Sequence, residues 1–190
     1  MQVIPNGHCK GIISPVPQSV FTLRARRWTD LPATPGVYWW YFSERDLDRF
    51  RISEYCQMAK LRLRRSQDGK LCLYHGMATN LAQRTAWHAE QKLTLGALKS
   101  GFLSTFRFTL LALNDFDYLA GRQEIDRFID GLSLSWMPAR SRAEAEAIEQ
   151  LELTGEFHYP LNIKHNQSVE LTKYIRFLGS IRKAYKRRYL

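Results

Sequence analysis

The sequence predicts an α/β domain. Its centre is a small three-stranded sheet, antiparallel or mixed, flanked by helices and followed by a basic C-terminal helix. Three observations predict it. Runs rich in aromatic and β-branched residues recur at 35–42, 70–75 and 104–113. Two stretches open with helix-capping signatures, Asn80 with Gln83 and Ser141 with Glu144. Residues 168–190 carry Leu171, Tyr174, Ile175, Leu178, Ile181 and Tyr185 as an apolar stripe on an otherwise basic segment.

Taken in order, residues 1–34 read as a loop-rich arm with proline at 5, 15, 17 and 32, and a short strand or helix at 20–28. Its Arg24, Arg26 and Arg27 suit either a DNA-contacting arm or a solvated surface. The Pro35-Gly36 turn opens a near-continuous apolar run to Phe42, as expected of a central strand buried on both faces. An insert at about 43–69 reads as one helix running into the basic cluster at 60–65. Asp68-Gly69 then turns the chain into the strand at 70–75, an antiparallel partner for the first. Helices are expected from Asn80 and over 91–101. A third strand is expected at 104–113, an amphipathic helix at 121–130, and a small edge strand at 132–137. An Ala/Glu-rich helix should follow from Ser141 to about Gly155. The domain proper spans 35–163, with 164–190 as the basic C-terminal helix.

The 190 residues are 45% hydrophobic, enough for one real core, and carry a formal net charge of +10. That charge points to a polyanionic partner, of which nucleic acid is the commonest. Three widely spaced cysteines show neither a CxxC pair nor a disulfide framework, which fits a cytoplasmic setting. No signal peptide, membrane-length apolar run, zinc-ligand spacing or glycine-rich phosphate loop is visible.

The chemistry gathers around residues 71–88. Tyr74-His75-Gly76 ends a strand, and Arg84 and His88 project from one face of the helix that follows. Gly36-Val37-Tyr38 precedes them; the acidic helix with Glu146, Glu149 and Glu152, and then Pro160-Leu161-Asn162, come after. Singly, each is ordinary: a strand tyrosine is usually core, and a helical glutamate usually meets solvent. Jointly, over 35–163, they resemble the GIY-YIG nuclease superfamily. His75 stands where the family usually has Ile, in a position that mostly packs. The long gap between Tyr38 and Tyr74 resembles the type II restriction endonuclease branch.

The resemblance implies a metal-dependent endonuclease that hydrolyses DNA phosphodiester bonds, with a site-specific, restriction-type enzyme as the expected form. The alternatives are a structure-specific repair, recombination or phage nuclease, or a non-catalytic nucleic-acid-binding module on a degenerate nuclease fold. The resemblance implies Tyr38, Tyr74, Arg84, His88, Glu149 and Asn162 as site residues. Glu149 would hold Mg²⁺, or Mn²⁺ in its place, with Glu152 the weaker candidate. Arg84 would meet the phosphate, and Asn162 would brace the site. The general base is left among Tyr38, Tyr74 and His88. Arg84 and His88 are expected to face Tyr74 and the Glu149 helix rather than solvent. Double-stranded DNA would be gripped by Arg62, Arg64, Arg65, Lys92, Arg182, Lys183, Lys186 and Arg187. A palindromic site would call for a homodimer.

Overall fold

The computed structural model describes residues 15–190; the first part of the expected N-terminal arm lies outside them. In chain order the elements are β1 (Gln18–Ser19), α1 (Val20–Ala25), β2 (Gly36–Phe42), α2 (Arg45–Arg49), α3 (Ile52–Tyr55), a 3₁₀ turn (Met58–Lys60), β3 (Leu71–Ala78), α4 (Leu81–Glu90), α5 (Leu95–Ser100), α6 (Thr105–Asn114), α7 (Arg122–Asp130), β4 (Ser133–Pro138), α8 (Arg142–Thr154) and α9 (Thr172–Arg187). The strands form one antiparallel sheet in the order β1-β4-β2-β3.

β2 is the central strand that its apolar run predicts, and its period-2 alternation serves two cores. Tyr38, Trp40 and Phe42 join the main core, together with side chains from α1, α4, α6, α7 and α9. Val37, Trp39 and Tyr41 join a smaller core under α8, with Ala145, Leu153 and Tyr159. The sheet is thus packed on both faces, and β3 is left at its edge.

Three expectations are corrected. Residues 104–113 form no strand; they are α6, capped by Ser104 Oγ, which accepts the Arg107 N–H. Phe106 through Leu111 are all buried, because α6 is enclosed by α4, α7 and α9. A helix buried all round reads in sequence like a strand buried on both faces. The third long strand is instead β4, and it is not at the edge: β1 and β2 pair on either side of it. The insert is not one helix. Arg51 in the left-handed region (φ 60°) separates α2 from α3, and extended backbone at Cys56 and Gln57 ends α3.

The described part of the N-terminal segment and the C-terminal helix belong to the same main core: Val20, Leu23, Trp28 and Leu31 are buried in it, as are Leu171, Tyr174, Leu178 and Tyr185. Among the described residues, no helix is long and apolar enough to cross a membrane.

Candidate active site

The outer edge of β3 organises the site. An edge strand presents unpaired backbone groups, and here later segments take them up. Leu161 N–H donates to Leu73 O at 2.9 Å. Asn162 brackets His75, with Oδ1 accepting its N–H at 2.9 Å and Nδ2 donating to its carbonyl at 2.7 Å. Glu149 Oε1 accepts the Met77 N–H at 3.0 Å. The Pro-Leu-Asn segment and the acidic helix are thereby fastened beside Tyr74 and Gly76, although more than 70 residues separate them in sequence.

Two glycines make room for this arrangement. A Cβ on Gly76 would lie 2.6 Å from the Tyr38 hydroxyl oxygen and 2.9 Å from Cζ. A Cβ on Gly36 would lie 2.4 Å from the Met137 carbonyl oxygen and 2.6 Å from Leu81 Cδ1. The tyrosine of the first tripeptide therefore lies over the glycine of the second.

Tyr38, Tyr74, Arg84, His88, Glu149 and Asn162 all line one cavity of about 270 Å³. Tyr38 Oη and His88 Nε2 are 2.8 Å apart, and His88 Nδ1 is 2.7 Å from Ser104 Oγ. His88 is buried, and that burial, reinforced by the Arg84 charge, lowers its pKa to about 3, so it is neutral at neutral pH. Burial raises Tyr74 to about 12, with Glu149 adding to the rise. It pushes Tyr38 well above its ordinary value as well, with the neighbouring Tyr74 contributing. Glu149 is half-buried, and desolvation holds its carboxyl above the usual range against the opposing Met77 hydrogen bond. Arg84 departs from expectation in one respect. It stands at the mouth of the cavity, exposed, with its guanidinium 5.1 Å from the Trp87 ring.

Glu152 is elsewhere. It is buried on the α8 side of the sheet, where Arg64 Nη2 donates to both carboxylate oxygens at 2.7 and 2.8 Å and Tyr159 Oη also donates to it. It is not in the cavity and leaves Glu149 as the carboxylate there. The same pair corrects the phosphate role expected of Arg64, whose charge is engaged inside the protein. Arg62 and Arg65 lie on the surface in ion pairs with Glu156 and Glu44. Lys92, Lys183 and Arg187 are exposed and Lys186 is partly so. Arg182 is half-buried, 5.4 Å from the Phe108 ring centroid, and burial lowers its pKa. Arg24 is tied to Asp130 at 3.1 Å, within the fold rather than on a free arm.

Sequence reasoning missed Ser104, Lys164 and His165. Ser104 both caps α6 and meets His88; a serine before an apolar run is a helix-start signal, and it marked this helix. Lys164 and His165 line the cavity just past Asn162, with His165 at φ 60°; no spacing rule pointed to them.

Fold and cleft together define a small α/β catalytic domain. A family model described as GIY-YIG catalytic domain matches residues 36–184. The chain belongs to the GIY-YIG family, and its domain is that of an endonuclease. No curated protein and no solved structure matches it.

Proposed function

We propose that this nuclease is a divalent-metal-dependent endonuclease of double-stranded DNA that cuts at defined sites, in the manner of restriction enzymes. The observation that carries the reading is the convergence of Glu149, Arg84 and the Tyr38–His88 pair on one cavity.

Glu149 suits Mg²⁺. One oxygen is held by Met77, and Mg²⁺ commonly takes one or two carboxylates, keeps waters and accepts substrate phosphate. Among the described residues no cluster of three or more acids, histidines or cysteines stands ready to enclose a metal, so a single carboxylate with water and phosphate is the arrangement that fits. Bound there, Mg²⁺ or Mn²⁺ would supply Lewis acidity to the phosphoryl and leaving oxygens.

The protein's own groups do the rest. Arg84, at the mouth, binds non-bridging phosphate oxygens through its guanidinium fork. Burial disfavours a free tyrosinate at Tyr38, so Tyr38 acts as a base only by passing its own proton on as it takes one from water. His88 Nε2 receives that proton, in the tautomer whose Nδ1–H donates to Ser104 Oγ, only with the substrate phosphate in the cavity, whose negative charge offsets the burial that otherwise keeps the imidazole neutral. Asn162 fixes the edge of β3 and takes no part in proton transfer.

A net charge of +10 favours a DNA partner. The insert between the two signature strands provides surface for base readout, and a palindromic site would be met by a homodimer.

Plasmid DNA incubated with Mg²⁺, Mn²⁺ or EDTA and resolved on a gel tests this. Discrete metal-dependent fragments are expected. Branch-dependent cuts would replace site specificity by structure specificity, and no cleavage in any metal would leave a binding module. Arg84→Ala and Glu149→Ala should each lower the rate by at least about 10²-fold while binding survives. Wild-type rates in either variant would overturn the site.

A further inference from the structure

A second cavity of about 250 Å³ opens beside the catalytic one, lined by Thr79, Asn80, Gln83, Arg84, Trp87 and Phe102. Arg84 and Trp87 line both cavities. The catalytic scheme uses neither Trp87 nor Phe102.

Phe102 is 72% exposed, yet it is not loosely placed. Its N–H donates to Ser100 Oγ at 3.3 Å, and its carbonyl accepts from Gln91 Nε2 at 2.7 Å. Its ring centroid lies 5.7 Å from that of Trp87 at 46°. The Arg84 guanidinium covers Trp87 in turn. The two rings already touch, so nothing flat fits between them; a planar group would lie against the ledge they form. Gln83 is exposed on the same stretch of α4, with an amide that can meet the edge of such a group.

The occupant follows from the neighbour. A phosphate held by Arg84 carries a nucleotide on each side, so the planar group delivered to this ledge is a nucleobase. Aromatic rings accept any base face, and a nearby guanidinium adds to the attraction. A base stacked within a duplex has both faces covered, so the base that docks here has left the stack.

We propose that Trp87 and Phe102 form a stacking platform for one unstacked base of the cleaved strand, adjacent to the phosphate at Arg84, with Gln83 at the base edge. This rests on the nuclease reading of the neighbouring cleft.

The test uses the whole 190-residue chain in EDTA and DNA carrying 2-aminopurine at successive positions around the mapped cut. One arm is a fully paired duplex; the other leaves one nucleotide at the cut unpaired. A fluorescence change confined to a single position is expected. In the paired arm the base starts stacked and already quenched, so a change there means the enzyme extrudes it; quenching in the unpaired arm alone means the substrate supplies it unpaired; both support the platform. Phe102→Ala and Trp87→Leu should each raise Kd about tenfold and remove that change. Phe102→Tyr should retain both. Phe21→Ala, which removes an exposed ring of α1 that lines neither cavity, is the control expected to match wild type. If the wild type cuts DNA while Phe102→Ala binds and changes the fluorescence like it, the platform is wrong and the nuclease reading stands. If the wild type neither cuts nor binds DNA, both fall.

Discussion

Gly76 shows how little space one residue of the site leaves. The Tyr38 ring occupies the volume that any side chain at 76 would need. Gly76→Ala should therefore move the Tyr38 hydroxyl away from His88. Cleavage should drop by at least about 10²-fold, the scale of a missing acid–base group, with DNA binding by gel shift retained. His75 is the other informative residue. It lies 5.0 Å from the Trp39 ring and 5.3 Å from that of Tyr159, buried, with neither ring nitrogen hydrogen-bonded. Burial, aided by the Arg64 charge, lowers its pKa to about 3. An unfolded histidine titrates near 6.5, so between about pH 6.5 and 3 the unfolded chain binds the extra proton. Stability is full above that window and falls as pH drops through it, by about 1.4 kcal/mol per pH unit for each such histidine. Urea unfolding at pH 7 and pH 5 should show the loss for His75 and His88 together, and His75→Ile should remove about half of the slope.

At the scale of elements, α8 carries two glutamates three residues apart with unlike roles. Glu149 reaches the edge of β3 and the cavity, whereas Glu152 is committed to Arg64 and Tyr159. Removing one partner of a buried ion pair costs about 3–5 kcal/mol, because it strands the other charge. Glu152→Gln should therefore lower the melting temperature clearly, while Glu149→Gln leaves it nearly unchanged and abolishes cleavage. Calorimetry beside the digest separates the two. The packing of α4 on α6 has a comparable double use: Ser104 begins α6 and fixes the imidazole that α4 supplies.

At the scale of the molecule, α9 is basic outside and part of the core inside. Tyr174, Leu178 and Tyr185 are buried, and Tyr174 Oη donates to Phe50 O at 3.0 Å. The family match also runs into this helix. Truncation after residue 167 should abolish the cooperative thermal transition, rather than merely weaken DNA binding. Charge reversal at exposed Lys183 and Arg187 should leave folding intact. It should also reduce the slope of log affinity against log salt by about 0.9 for each phosphate that is no longer neutralised.

Much of this was legible in sequence. The two-sided run in β2, the Asn80 and Ser141 caps and the ordered signature residues are local or nearly local signals, and they brought Tyr38, Tyr74, Arg84, His88, Glu149 and Asn162 to one cavity. What lay beyond the sequence depended on enclosure. Residues 104–113 are apolar on most sides, and only the helices around them decide between helix and strand. β4 gained its interior place from a two-residue partner, β1, which no periodicity reveals. Arg64 looked like one of a basic cluster until the fold set Glu152 against it. A sequence carries periodicity and residue type, and these determine which segments form and which groups are available. Burial and partnership between segments far apart in the chain set each group's charge state and reach, and tertiary structure alone decided them.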